Sequence, residues 1–199
     1  MTSSQAKENK YPNWFSLYAQ EYFKNLLAEF KGKENLHFLQ IGAFTGDASL
    51  WLVEEILTAK GSVLTDVDTW QGSDEAVHHD MDFSDVEKVY DLKLKDFKNI
   101  VKTKMRSHEF LMDSDDKEIY DFIYIDGDHT AEAVFYDATL SWKALKINGI
   151  MAFDDYLWGE ELPINLRPKA AIDLFVTLMK DHIELIGVGS QVWLRKLQT

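Results

Sequence analysis

The stretch Tyr120 to Tyr156 reads YDFIYIDGDHTAEAVFYDATLSWKALKINGIMAFDDY. An apolar run, Phe122 to Ile125, ends in Asp126-Gly127-Asp128-His129. A helical pattern follows, with Val134, Ala138, Trp142 and Leu145 as its apolar stripe and Thr130 as its N-cap. A second apolar run, Ile150 to Phe153, ends in Asp154-Asp155. Strand, helix and strand in this order predict a βαβ unit with parallel strands. Parallel strands end on the same edge of a sheet, and open α/β sheets bind their ligands there. The reading therefore places three or four carboxylates and one imidazole in one crevice. Carboxylates crowded together repel unless a cation holds them, and hard divalent cations prefer oxygen ligands. Either acidic motif alone is equally well read as a solvated turn. Their placement after successive parallel strands favours a site.

Working outward, Leu36 to Ile41 reads as a strand, followed by Gly42-Ala43-Phe44-Thr45-Gly46 and a helix from Asp47 to Thr58. Strand, glycine turn and helix suit a nucleotide-type ligand, because glycines admit close backbone approach and a helix N-terminus favours negative charge. The turn is looser than G-x-G-x-x-G, and a plain tight turn is the competing reading. Ser62 to Val67 is the next strand. An acid at its end, roughly 20 residues past the glycines, can accept from ribose hydroxyls. Asp68, with Thr69 beside it, is the choice; Asp66 is the alternative within the same strand.

Residues 1–12 form a polar tail and 13–31 an N-terminal helix with Phe15, Tyr18, Ala19, Tyr22, Leu26 and Phe30 near one face. Gln71 to Asp85 is a polar loop with His78 and His79, of a length used for lids. Val86 to Met105 reads as a helix and His108 to Met112 as a third strand ending at Asp113-Ser114. Lys169 to Asp181 reads as a helix; Glu184 to Val188 and Val192 to Lys196 flank Gly189-Ser190-Gln191 as a hairpin. The whole, residues 1–199, is expected to be one α/β domain: a Rossmann-like, doubly wound, mostly parallel seven-stranded sheet. Helices cover both faces, and an antiparallel hairpin closes the sheet at the C-terminal end.

The 199 residues are 46% apolar, enough for one packed core. Lys and Arg total 21 against 34 Asp and Glu, a net charge of −13, which argues against a phosphate-backbone partner. No apolar run spans a membrane, no leader opens the chain, and there is no Cys for a disulfide or thiolate metal site. These features suit a cytoplasmic protein acting on a small molecule, with self-association left open.

The order of elements resembles the class I S-adenosylmethionine-dependent methyltransferases, over roughly residues 13 to 199. Over Tyr120 to Tyr156 it is similar to small metal-dependent O-methyltransferases, including those acting on macrolide sugars. Their pattern of Asp, two residues, His, then Asp-Asp after the next strand matches Asp126, His129, Asp154 and Asp155. The resemblance implies that Asp126, Asp154 and Asp155 hold a divalent cation such as Mg²⁺, with Asp128 as a substitute ligand. It implies that His129 is the general base, and that Asp126 also lies beside the cofactor. Gly42, Ala43, Phe44 and Gly46 would pass the methionine part of S-adenosylmethionine. Asp68 and Thr69 would meet the ribose, and Asp113 with Ser114 the adenine. The family usually carries an acid two places before the first glycine, where this chain has Gln40. The implied reaction is methyl transfer to a hydroxyl of a sugar, polyketide or catechol-like molecule. Its rivals are a dinucleotide-dependent oxidoreductase, which leaves the Asp-Asp pair idle, and a non-catalytic cofactor-binding protein.

Overall fold

A computed structural model describes residues 10–73, 78–113 and 118–198, with backbone alone at Asp113. Seven strands form one sheet: β1 (His37–Ile41), β2 (Val63–Asp68), β3 (Ile100–Lys104), β4 (Tyr120–Ile125), β5 (Leu145–Phe153), β6 (Ile183–Val188) and β7 (Val192–Lys196). Their order across the sheet is β3-β2-β1-β4-β5-β7-β6. β1 to β5 are parallel, and β7 inserts antiparallel between β5 and β6. The expected doubly wound fold with a closing hairpin is therefore the fold observed.

Period-two alternation gives the central strands two buried faces. Leu39, Ile41, Ile123, Ile125, Met151 and Phe153 pack on one side with α5 (Ala131–Trp142) and α6 (Lys169–Met179). Phe38, Leu64, Phe122, Ile150, Ala152 and Trp193 pack on the other. There α1 (Gln20–Leu26) and α2 (Asp47–Glu55) cover them through Phe23, Leu52 and Val53. The expected single N-terminal helix is divided: a π-helical turn, Phe15–Ala19, leads into α1, and a 3-10 turn, Ala28–Phe30, follows it. Part of the expected tail is packed. Tyr11 is buried, and its hydroxyl donates to Asp85 Oδ2 at 2.9 Å.

The third βα unit departs from the sequence reading. The expected helix over 86–105 stops early as α3 (Phe83–Leu94), and Ile100–Lys104 is strand. The expected strand His108 to Met112 lies in a helix, α4 (Ser107–Asp113). β3 is an edge strand with no fully buried residue, so it carries no apolar run. Its Lys102 and Lys104 reach Glu87 at 2.8 and 2.5 Å instead. Of the expected lid, residues 74–77 lie outside the described residues. Its end is ordered: Asp82 caps α3, accepting from the N–H groups of Ser84 and Asp85.

Register separates Asp66 from Asp68. Asp66 sits inside the ladder, opposite Gln40 and Lys102, and is completely buried, whereas Asp68 stands at the strand's open end. Tyr90 donates its hydroxyl to Asp66 Oδ2 at 2.6 Å. Burial pushes the Asp66 carboxyl up to about 7, with Tyr90 and Ser49 opposing. Asp66 thus belongs to the core under the sheet edge. Its native pKa lies above the unfolded one, so the folded chain holds the proton more tightly. Stability from this group is full below about pH 4, falls as pH rises toward 7, and is level above that. Asp66→Asn removes the titration. Urea unfolding of both proteins across pH 4–8 should show the variant gaining on wild type as pH rises, by a total on the order of 4 kcal/mol. Parallel stability curves would show that Asp66 is not a buried acid.

Candidate active site

The C-terminal edges of β1, β2, β4 and β5 form one rim. On β1 the chain leaves through Gly42, φ +84°. A Cβ at this position would stand 1.9 Å from the Asp126 carbonyl oxygen, so the glycine turn meets the acidic turn backbone to backbone. Gln40, buried beneath the turn, donates from Nε2 to the Gly42 carbonyl at 2.9 Å, and Ser49 donates to its Oε1 at 3.5 Å. A carboxylate could not donate to that carbonyl, which gives the amide at position 40 a physical reason.

Asp68 closes the other side of the turn. Its Oδ2 accepts from the N–H groups of Ala43 and Phe44, at 2.7 and 2.9 Å, and its Oδ1 accepts from Trp70 N–H at 2.7 Å. A carboxylate has about four acceptor positions, so one remains for a ligand. Phe44 has φ +46°, and its carbonyl accepts from Trp70 Nε1 at 2.9 Å. Trp14 stacks on the Phe44 ring at 4.9 Å, whereas Tyr18, the other aromatic of the N-terminal segment considered for ligand contact, is exposed. Thr69 serves its own turn, accepting from Gln71 N–H at 3.2 Å. Gly46 carries φ +77° and lies against Tyr90 and Leu94, so it serves helix packing.

The acidic rim follows β4 and β5. Asp126, His129 and Asp155 bring one ligand atom each within 4.8 Å of one another. His129 Nε2 is 3.0 Å from Asp155 Oδ2 and 3.8 Å from Asp126 Oδ1. His129 is on the turn that Thr130 caps into α5, and Trp158 lies against its ring, centroids 5.0 Å apart. Asp154, also expected as a cation ligand, is outside the group whose ligand atoms lie within 4.8 Å of one another, and its oxygens have other partners. Its Oδ1 accepts from Gln191 Nε2 at 2.9 Å and from Asp155 N–H at 2.8 Å, and its Oδ2 accepts from the Tyr124 hydroxyl. Asp128, the substitute, is exposed and accepts from Thr130 N–H at 2.8 Å.

Crowding shows in the acids themselves. Removal from water, then the charge of Asp154, holds Asp126 well above the usual carboxylate range, while His129 pulls the other way. Burial and then Asp155 raise Asp154. Nearby, Asp137 of α5 is pushed by burial up to about 7, with Ser107 opposing. These acids favour a positive partner at the rim.

The Asp113 side chain and Ser114 fall outside the described residues. The shift of β3 to Ile100–Lys104 means that the residues leaving its C-terminal edge are Met105, Arg106 and Ser107. Met105 N–H donates to the Asp68 carbonyl at 3.1 Å, which ties this edge to the same rim. Sequence reasoning also passed over Tyr124 and Gln191. Tyr124 had a visible signal, a hydroxyl-bearing residue within an apolar strand.

A model for a methyltransferase domain matches residues 39–156, from β1 through the acidic turn after β5. No curated protein matches the chain significantly. Among solved structures, an O-methyltransferase from Bacillus cereus in complex with SAH aligns at 16% identity and TM-score 0.60, covering 89% of this chain and 80% of its own. The MycE methyltransferase of the mycinamycin biosynthetic pathway, in complex with Mg and SAH, aligns at 13% identity and TM-score 0.60. That match covers 89% of this chain and 49% of MycE, so the chain spans about half of MycE's length. A rRNA methylase from Streptococcus thermophilus aligns at 12% identity and TM-score 0.58, covering 86% of this chain and 92% of its own. The structural likenesses share the fold, and the family model spans more than half of the sequence, including both turns of the rim: the chain belongs to the methyltransferase-domain family.

Proposed function

We propose that this protein is an S-adenosylmethionine-dependent O-methyltransferase acting on a hydroxyl of a small molecule with help from a divalent cation. The observation that carries the proposal is the placement of Asp126, His129 and Asp155 beside the glycine turn of a methyltransferase-family domain. The SAH found in the Bacillus cereus enzyme and the Mg and SAH found in MycE support the same reading. The oxidoreductase rival has no such family match. Gln40, which stands where the family usually carries an acid, has a bracing role under the turn that is compatible with catalysis. The net charge of −13 supports a small acceptor over nucleic acid. Among the described residues no helix is long and apolar enough to cross a membrane.

The residues present fit the two groups that this reading implies. The carboxylates of Asp126 and Asp155, with one ligand atom each within 4.8 Å, suit a divalent cation with His129 beside it as the base, and the raised Asp126 is the carboxyl that positive charge would relieve. When bound, such a cation supplies charge that lowers the pKa of an acceptor hydroxyl, and S-adenosylmethionine supplies a methyl on a positive sulfur. The chain's own residues do the remaining work. Asp68 offers its remaining acceptor position to the ribose and holds the loop amides still. His129 takes the proton of the acceptor hydroxyl at Nε2, the nitrogen that Asp155 faces. Trp158 packs against the imidazole, ring centroids 5.0 Å apart, and limits how the ring can turn. The gain comes chiefly from alignment of acceptor oxygen, methyl and sulfur.

Calorimetry with S-adenosylhomocysteine tests the cofactor half. Asp68→Ala should bind it more weakly by about 1.5–3 kcal/mol, the scale of a hydrogen bond to a charged group. Unchanged affinity would remove Asp68 from the ribose site.

Methyl transfer with a chelator, then with added Mg²⁺ or Mn²⁺, tests the other half. Activity should vanish and return. His129→Ala should lower kcat by roughly 10²–10⁴ and abolish the rise in rate with pH, while cation affinity stays within about severalfold. Full activity under chelation sinks the cation; a normal rate in His129→Ala sinks the base.

A further inference from the structure

The acidic turn after β5 is held from a part of the chain far from the family-matched region. Asp155 has φ +55°, a left-handed conformation uncommon outside glycine and better tolerated by Asp than by most residues. In that conformation its carboxylate lies 3.0 Å from His129 Nε2. The surroundings are specific. Asp155 N–H donates to Asp154 Oδ1 at 2.8 Å, and the next residue, Tyr156, donates its N–H to the Ser190 carbonyl at 2.9 Å. Asp154 in turn is gripped by Gln191 Nε2 and by the Tyr124 hydroxyl.

The orientation of Gln191 is determined by chemistry. Trp193 Nε1 can only donate, and it meets Gln191 Oε1 at 2.8 Å, so Nε2 must face Asp154. Trp193 is itself immobilised: its ring stacks on Phe122 at 5.5 Å and meets the edge of Phe23 at 5.2 Å. Gln191 and Trp193 are both fully buried. Tyr124 comes from β4, the strand that also ends in Asp126. A rigid chain of hydrogen bonds therefore runs from the aromatic core through Gln191 to the turn, and Tyr124 grips the same carboxylate from the neighbouring strand.

We propose that Gln191 and Tyr124 are positioning residues of the methyl-transfer site, holding the Asp154–Asp155 turn so that Asp155 faces His129 and Asp126. The proposal rests on the cation-assisted reading for its effect on binding, but the positioning itself can be read without a cation. Groups that orient metal-site ligands typically change affinity by roughly 10–100-fold when lost, although they touch neither metal nor substrate.

The test uses the full chain with Gln191→Leu and Tyr124→Phe, the latter removing a single oxygen should the former fail to fold. Three quantities are measured: Mn²⁺ affinity by electron paramagnetic resonance, S-adenosylhomocysteine affinity by calorimetry, and exchange of the Asp155 backbone amide by NMR. Expected are Mn²⁺ binding weakened roughly 10–100-fold, unchanged S-adenosylhomocysteine binding, and faster exchange at Asp155 with the strand amides of β4 and β5 unaltered. A merely structural role would lower the melting temperature and leave Mn²⁺ affinity and the Asp155 amide of the folded protein unmoved, and that result overturns the proposal. If wild type binds no Mn²⁺, the cation reading fails by itself. The Asp155 amide then decides: faster exchange in Tyr124→Phe upholds the positioning role, and unchanged exchange rejects it.

Discussion

The glycine turn and the acidic turn touch through backbone alone, and the site depends on that contact. With no side chain at Gly42, the strand end of β1 lies directly against the Asp126 carbonyl. Asp126 N–H donates to the Ile41 carbonyl at 2.9 Å, and Gly42 N–H donates to the Val67 carbonyl at 2.9 Å. Three strand ends are thereby locked in one row. A cofactor held at the first turn would lie beside whatever the second turn holds, and transfer between the two requires that adjacency. Any side chain at position 42 would separate them.

The second constraint is electrostatic. Asp66, Asp126, Asp137 and Asp154 all have carboxyls raised by burial near one rim. The fold tolerates them by supplying donors: Tyr90 to Asp66, Ser107 to Asp137, and Tyr124 with Gln191 to Asp154. Among the described residues, the contact given for the Asp126 carboxylate is with His129, and it belongs to the cluster that could hold a cation. The same residue type thus carries different roles, set by which hydrogen-bond donors the neighbouring strands bring.

Elements with two buried faces were readable, because continuous apolar runs such as Phe122 to Ile125 and Ile150 to Phe153 leave few alternatives to strands. The third unit was misread for the complementary reason. β3 lies at the sheet edge and spends its residues on lysines that pair with Glu87 and Asp91, while Phe110 and Leu111 supply an apolar signal that belongs to a helix. The residues leaving the C-terminal end of β3 are Met105 to Ser107, while Ser114 and the Asp113 side chain, the expected adenine neighbours, lie outside the described residues. The division of the Asp-Asp pair was likewise unreadable, since adjacent residues of one type carry no mark of which way each side chain turns.

The sequence by itself determined the doubly wound order, the glycine turn, and the gathering of Asp126, His129 and Asp155 at one edge. Local periodicity and the parallel rule suffice for these, because strand direction alone decides where a strand ends. Only the tertiary structure decided that Asp66 is a core acid and that Asp154 is gripped by Tyr124 and Gln191. The same holds for the amide of Gln40, which braces the turn from below. Each of these depends on depth within the sheet or on a partner from another strand or helix. Long-range pairing of that kind leaves no periodic trace in the chain.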